Sequence, residues 1–156
     1  MMKKLKKRIS LRKEFYYGNR FKKNNEKAFI RPYEEKDFIK IQDLNKREGW
    51  SNLVENHLST KEAWKNSNVT LIIEIQGQGI VGYLRGLTDT RVSLFICELL
   101  IDKQYRSLGL GKRIIHYLHN IYPNVRIELL ATSSSRLFYE GIGFRTFYGY
   151  RKTKEE

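Results

Sequence analysis

A chain of 156 residues, 40% hydrophobic and 13% aromatic, is long enough for one domain with a real core and too apolar to be disordered. No window approaches ~18 consecutive apolar residues, so no membrane-spanning helix is expected, and the basic start lacks the apolar run of a secretory signal. The net charge of +13 is unevenly placed: residues 1–27 hold eleven Lys or Arg against Glu14 and Glu26, a net of +9.

Residues 1–27 are therefore expected to form a basic, flexible extension, and residues 28–156 a single folded domain. Tyr16, Tyr17 and Phe21 interleave with the bases of the extension. Such an arm draws nucleic acid by counterion release and stacking, or is simply a solvated extension, and by itself it identifies no function. The single cysteine, Cys97, cannot form an internal disulfide and suits a reducing cytoplasm.

A short strand over residues 28–31 is closed by Pro32, which cannot donate to a ladder. Glu34, Glu35 and Asp37 then load acid into a first helical turn, Phe38, Ile41 and Leu44 follow at helical spacing, and Gly49 ends the helix. A second helix is expected over residues 52–57 or from Ser59, where Ser59 or Thr60 would cap and Glu62 stands three residues after Ser59. Residues 69–76 and 80–87 read as strands joined through Gly77-Gln78-Gly79, and residues 87–91 as a second turn. Residues 92–101 (VSLFICELLI) are almost without polarity, as in a strand covered on both faces. Leu110, Ile114, Ile115, Leu118 and Ile121 form one helical stripe, stopped at Pro123. A strand over 125–131, a helix over 133–140 and a last strand over 144–151 complete a mixed α/β domain, its central, mostly antiparallel sheet flanked by helices.

The segment Gln104-Tyr105-Arg106-Ser107-Leu108-Gly109-Leu110-Gly111-Lys112 joins the apolar strand to the amphipathic helix. The first N–H groups of a helix lack partners and its dipole is positive there, so the segment is an anion site. Gly109 and Gly111 let a phosphate approach the backbone, and Arg106 and Lys112 add charge. A Walker loop is excluded, because Arg113 follows Lys112 and the upstream glycine is missing. A dinucleotide fingerprint would need a third glycine and an earlier place in the chain.

The Arg-x-x-Gly-x-Gly pattern carried by Arg106, Gly109 and Gly111 resembles the coenzyme A loop of the GNAT acetyltransferases. Ile101-Asp102 before Tyr105-Arg106 is similar to that family's strand end and approach. Leu137-Phe138-Tyr139-Glu140-Gly141-Ile142-Gly143-Phe144 is similar to its second hallmark, an aromatic pair followed by Gly-Phe. The resemblance covers roughly residues 28–150. The chain departs from the pattern at Ser107, where a glycine is frequent, at Lys103, where a proline is common, and at Thr132, where an asparagine often opens the last helix. Thr132 bears on how the pantetheine arm is held.

The resemblance implies acetyl transfer from acetyl-CoA to a primary amine by direct attack in a ternary complex, with no metal. It implies that Arg106, Ser107, Leu108, Gly109, Leu110, Gly111 and Lys112 hold the pyrophosphate. It also implies a splayed strand whose backbone at Leu99, Leu100 and Ile101 pairs with the pantetheine arm. Glu98, the one ionisable side chain besides Cys97 within residues 92–101, shares a face with Leu94, Ile96 and Leu100 by simple alternation. An amine must lose a proton before it attacks, and a carboxylate there could take it, directly or through water; a structural ion pair is the competing reading. Tyr139 could protonate the departing thiolate, or merely pack; Phe138 is expected in the core. Trp50 and Trp64 lie in the region that walls the acceptor site in relatives, with core packing at least as good a reading for each, and Asp89 could add a second anionic group, although turn chemistry explains it equally. Cys97 has no placed activator, and His116 and His119 fall on a polar helix face rather than in a metal constellation. Expected partners are acetyl-CoA and an amine-bearing acceptor, with a homodimer, and nucleic acid at residues 1–27, left open. Two other readings stand beside this one: a nucleic-acid- or ribosome-associated protein working through the arm, and a domain that binds coenzyme A without turnover.

Overall fold

The computed structural model describes residues 19–20 and 27–154. β1 (Asn19–Arg20) pairs with β2 (Lys27–Pro32), Asn19 lying opposite Ala28. A 3₁₀ turn (Glu35–Asp37) leads into α1 (Phe38–Glu48), ended by Gly49 in the left-handed conformation. Then come α2 (Ser51–Glu55), α3 (His57–Asn66), β3 (Val69–Ile75), β4 (Gly79–Thr88), β5 (Ser93–Ile101), α4 (Leu110–Ile121), β6 (Arg126–Leu129) and α5 (Arg136–Gly141). The strands lie in chain order in one sheet, antiparallel as far as β5. The α4 crossover makes the β5–β6 pair parallel, as a helical connection does. The mixed, mostly antiparallel sheet flanked by helices is thus the fold that forms.

Each face of the sheet has its own core. Leu110, Ile114, Ile115 and Leu118 of α4 cover Leu71, Ile73, Leu84, Leu94 and Ile96. On the other face Phe38, Ile41 and Leu44 of α1 and Trp64 of α3 pack on Ile72, Tyr83 and Leu100. Trp64 is core, its ring 4.7 Å from that of Tyr33 and 5.2 Å from that of Tyr83, whereas Trp50 is half-buried at the margin of the same cluster.

One residue alters the reading of β5. Arg85 lies opposite Glu98 but Gly86 lies opposite Ile96, so Cys97 is an extra residue, a bulge. A bulge shifts the alternation of side chains by one place. Leu94 and Ile96 before it, and Leu99 and Ile101 after it, all pack on the α4 core, while Leu100 joins the cluster of α1 and α3. Glu98 therefore shares a face with Leu100 and not, as alternation alone implies, with Leu94 and Ile96.

Three further expectations are corrected. The second helical region is two helices, and α3 starts at His57 after Asn56, so Ser59 and Glu62 lie inside it and form no cap. The strand expected over 144–151 is not formed: no strand follows β6 among the described residues, and Phe147, Tyr148 and Tyr150 are exposed. Strand-favouring residues nominate a strand, but only a ladder partner makes one. Phe138 is 40% exposed rather than core. Apart from β1, the residues of the extension, including Tyr16, Tyr17 and Phe21, lie outside the described residues. No helix among the described residues is long and apolar enough to cross a membrane.

Candidate functional site

The loop after β5 starts from a fixed end. The Asp102 N–H donates to the Val81 carbonyl at 2.8 Å, and the Asp102 carboxylate accepts the Gln104 N–H at 3.0 Å. A 3₁₀ turn (Lys103–Tyr105) follows, and then Ser107 and Gly109 take φ values of 65° and 75°. α4 opens on Gly109, with no side-chain cap, and the Arg113 N–H donates to the Gly109 carbonyl at 3.0 Å. The N–H groups of Leu110, Gly111 and Lys112 thus stand at an uncapped, positive helix end, which fits an anion. A Cβ added at Gly109 would meet nothing within 4 Å, so the backbone there is openly approachable. At Gly111 a Cβ would come within 2.9 Å of Phe138 Cζ, so the missing side chain lets α5 close on α4. A cavity of about 480 Å³ adjoins the helix start, with Lys112, Arg113 and His116 on its wall and no acid.

The loop's cations differ in state. Lys112 is exposed. Arg106 is engaged: its Nε donates to the Ile101 carbonyl at 3.0 Å and its Nη2 to Glu48 Oε2 at 2.6 Å, on the last turn of α1.

Past Ile96 no described strand pairs with the outer edge of β5, and the Ile101 carbonyl accepts from Arg106. β6 pairs with β5 only from Ser93 to Ile96. Because the Asp102 N–H turns toward β4, alternation of backbone groups turns those of Ile101 and Leu99 to the opposite side, where β6 no longer runs. Leu100 is buried toward α1, and Leu99 and Ile101 are half-buried toward α4.

Glu98 lies on the α1 and α3 side in a two-pronged ion pair. Arg85 Nε donates to Oε2 at 2.5 Å and Nη2 to Oε1 at 2.7 Å, while Nη1 donates to Ser67 Oγ at 2.9 Å. Burial works to lower the Arg85 pKa, but its bonds to Glu98 outweigh that and leave it raised. Arg85 is the partner that the sequence reading missed. A signal existed, since it is the one charged residue of β4, as Glu98 is of β5. Beside this pair the Tyr83 hydroxyl donates to Asn45 Oδ1, and Asn45 Nδ2 donates to Gln42 Oε1 at 2.9 Å, so the α1 wall is tied to the sheet by buried polar groups.

Tyr139 on α5 packs edge-on against Phe138 and Phe144, with ring centroids 5.0 and 5.6 Å away. Burial pushes its phenol pKa above the ordinary value, so it keeps its proton at neutral pH. Burial likewise pushes the Cys97 thiol up, against nucleophilic use. Asp89 is a turn residue: its carboxylate accepts from the N–H groups of Val92, Arg91 and Ser93, which hold its pKa below the usual value. The Thr132 carbonyl accepts the Ser135 N–H at 3.1 Å, in the turn before α5. His116 and His119 are exposed on α4, and among the described residues no three His, Cys, Asp or Glu are placed to hold a metal ion.

A family model described as an acetyltransferase (GNAT) domain matches residues 31–155. An acetyltransferase of Trypanosoma brucei is 23% identical, with 81% of this chain and 99% of that one aligned at a TM-score of 0.63. A GNAT-family acetyltransferase of Streptococcus pneumoniae is 18% identical over 84% of this chain and 99% of that one, TM-score 0.67. A predicted acetyltransferase of Clostridium acetobutylicum, solved with acetyl-CoA, is 16% identical over 81% and 96%, TM-score 0.59. At such identities the structures speak to the fold. None of the curated proteins compared matches the chain.

Proposed function

The chain belongs to the GNAT acetyltransferase family, and from that premise we propose that it transfers an acetyl group from acetyl-CoA to a primary amine. The observation that carries the reading is the uncapped start of α4 at Gly109, set directly beyond the strand whose edge opens after Ile96. The first feature takes a diphosphate and the second an extended amide-bearing arm. The related clostridial fold, solved with acetyl-CoA, supports the choice of donor.

The acceptor nitrogen attacks the thioester carbonyl, the C–N bond forms and the C–S bond breaks. Glu98 receives the proton that the amine gives up, directly or through water. Both its oxygens accept from Arg85, and a carboxylate offers about four lone-pair sites, so acceptor capacity remains. Tyr139, kept protonated by burial and with no hydrogen bond from its hydroxyl among the described residues, gives a proton to the leaving sulfur. Backbone donors of the open β5 edge orient the carbonyl. Lone Cys97 and this acetyl donor suit a cytoplasmic setting.

The test is thiol release over a panel of amines, with Glu98→Gln and Tyr139→Phe alongside. Each substitution is expected to lower kcat by about 10²-fold or more, the scale of general acid–base assistance. Full kcat in both would remove the assigned roles while leaving the family intact. Binding of coenzyme A without release of thiol on any amine would favour a binding domain instead.

A further inference from the structure

The last turn of α1 is joined to the cofactor loop by two ion pairs of opposite sense. Arg47 Nη1 lies 2.6 Å from Asp102 Oδ2, and Glu48 Oε2 lies 2.6 Å from Arg106 Nη2. Asp102 is buried and doubly used, since it also accepts the Gln104 N–H, so the first pair braces the strand end. The second pair differs in kind. Arg106 is 44% exposed, stands three residues before the uncapped Gly109, and is bonded to a carboxylate of another element. Glu48, 19% exposed, is otherwise unpaired among the described residues.

We infer that Glu48 is a positioning residue that holds Arg106 in the absence of cofactor and yields it to the cofactor's diphosphate. This rests on the acetyl-CoA reading above. A guanidinium forks onto a carboxylate or a phosphate with the same geometry, so the two anions compete for one cation. The diphosphate also gains the N–H groups at the start of α4, which Glu48 does not use, so it wins the exchange. Meanwhile the Arg106 Nε bond to the Ile101 carbonyl keeps the side chain beside the loop, ready for transfer. The exchange frees Glu48, while the Arg47–Asp102 pair still holds the last turn of α1 to the strand end. That turn runs through Gly49 to Trp50, at the margin of the cluster that includes Leu100 and Tyr83 beside Glu98.

Calorimetry with coenzyme A on the full chain tests this. Removing the competing anion in Glu48→Gln is expected to tighten binding about two- to fivefold, the worth of a part-exposed ion pair, and to lower the KM for acetyl-CoA without raising kcat. The gain is expected to disappear in an Arg106→Gln background and to be absent from Arg47→Gln, which removes only the brace. A purely structural Glu48 would weaken binding or leave it unchanged, and either result overturns the inference, as does an equal gain in the Arg106→Gln background. If Glu48→Gln does not fold, Glu48→Asp, one methylene shorter, should show a smaller tightening of the same sign. No binding of coenzyme A by the unaltered chain would instead sink the acetyl-CoA reading itself.

Discussion

Two residues of the loop have left-handed backbone, and they are not equivalent. Gly109 reaches φ 75° without steric cost, whereas Ser107 reaches φ 65° with a Cβ. A side chain at Gly109 has room, since nothing lies within 4 Å, so its cost is conformational. Gly109→Ala is expected to lose about 1 kcal/mol, read as a fall in Tm of about 2–4 °C. An unchanged Tm would mean that the loop reaches the same path without a left-handed residue. At this scale the glycines and Arg106 were legible because their chemistry is local. The pairing of Glu98 with Arg85, and its face of the sheet, were not, because the Cys97 bulge breaks the alternation on which a strand is read.

Among the elements, the junction of β2, the first 3₁₀ turn and β3 is electrostatic. Asp37 is buried and accepts from Arg31 Nη1 at 2.7 Å, Nη2 at 3.0 Å and the Glu34 N–H at 2.8 Å, while Arg31 Nε donates to Glu74 on β3 at 2.8 Å. Burial pushes the Asp37 pKa up, but the Arg31 and Glu34 bonds outweigh it and hold it below the ordinary carboxylate value. A pKa lower in the folded than the unfolded state stabilises above the unfolded value, and the gain is lost as pH falls through the folded one. The junction is therefore expected to weaken below pH ~4. Asp37→Asn should lose about 2 kcal/mol at neutral pH and flatten the acid limb of a stability–pH curve. An acid limb identical to that of the parent would place the acid sensitivity elsewhere. The helical start was visible as an acid cluster, but which acid is buried was not, since Arg31 comes from the preceding strand. The failure over 144–151 has the same source: Phe147, Tyr148 and Tyr150 are strand-favouring residues, yet β6 offers only four residues and no ladder forms beside it.

For the molecule as a whole, the basic excess is concentrated at one end of the sequence. Seven of the eleven bases in residues 1–27 precede residue 19, and β1 at Asn19–Arg20 is the only part of the first 26 residues described. If the basic end draws single-stranded nucleic acid rather than being a solvated extension, the affinity should fall steeply with salt, and removal of residues 1–18, which leaves β1, should take away most of that slope. A slope unchanged by the truncation would assign it to the domain surface, where Lys112, Arg113 and His116 cluster. Sequence by itself determined the order of elements from β3 to α5, the two-sided core and the amphipathic helix after the apolar strand, because periodicity and glycine spacing act over a few residues. Only the tertiary structure decided that Arg106 is held by Glu48, 58 residues away, and that Glu98 is held by Arg85 across a bulged ladder. Those pairings depend on which elements the sheet and α1 bring together, and long-range contacts leave no period in the chain.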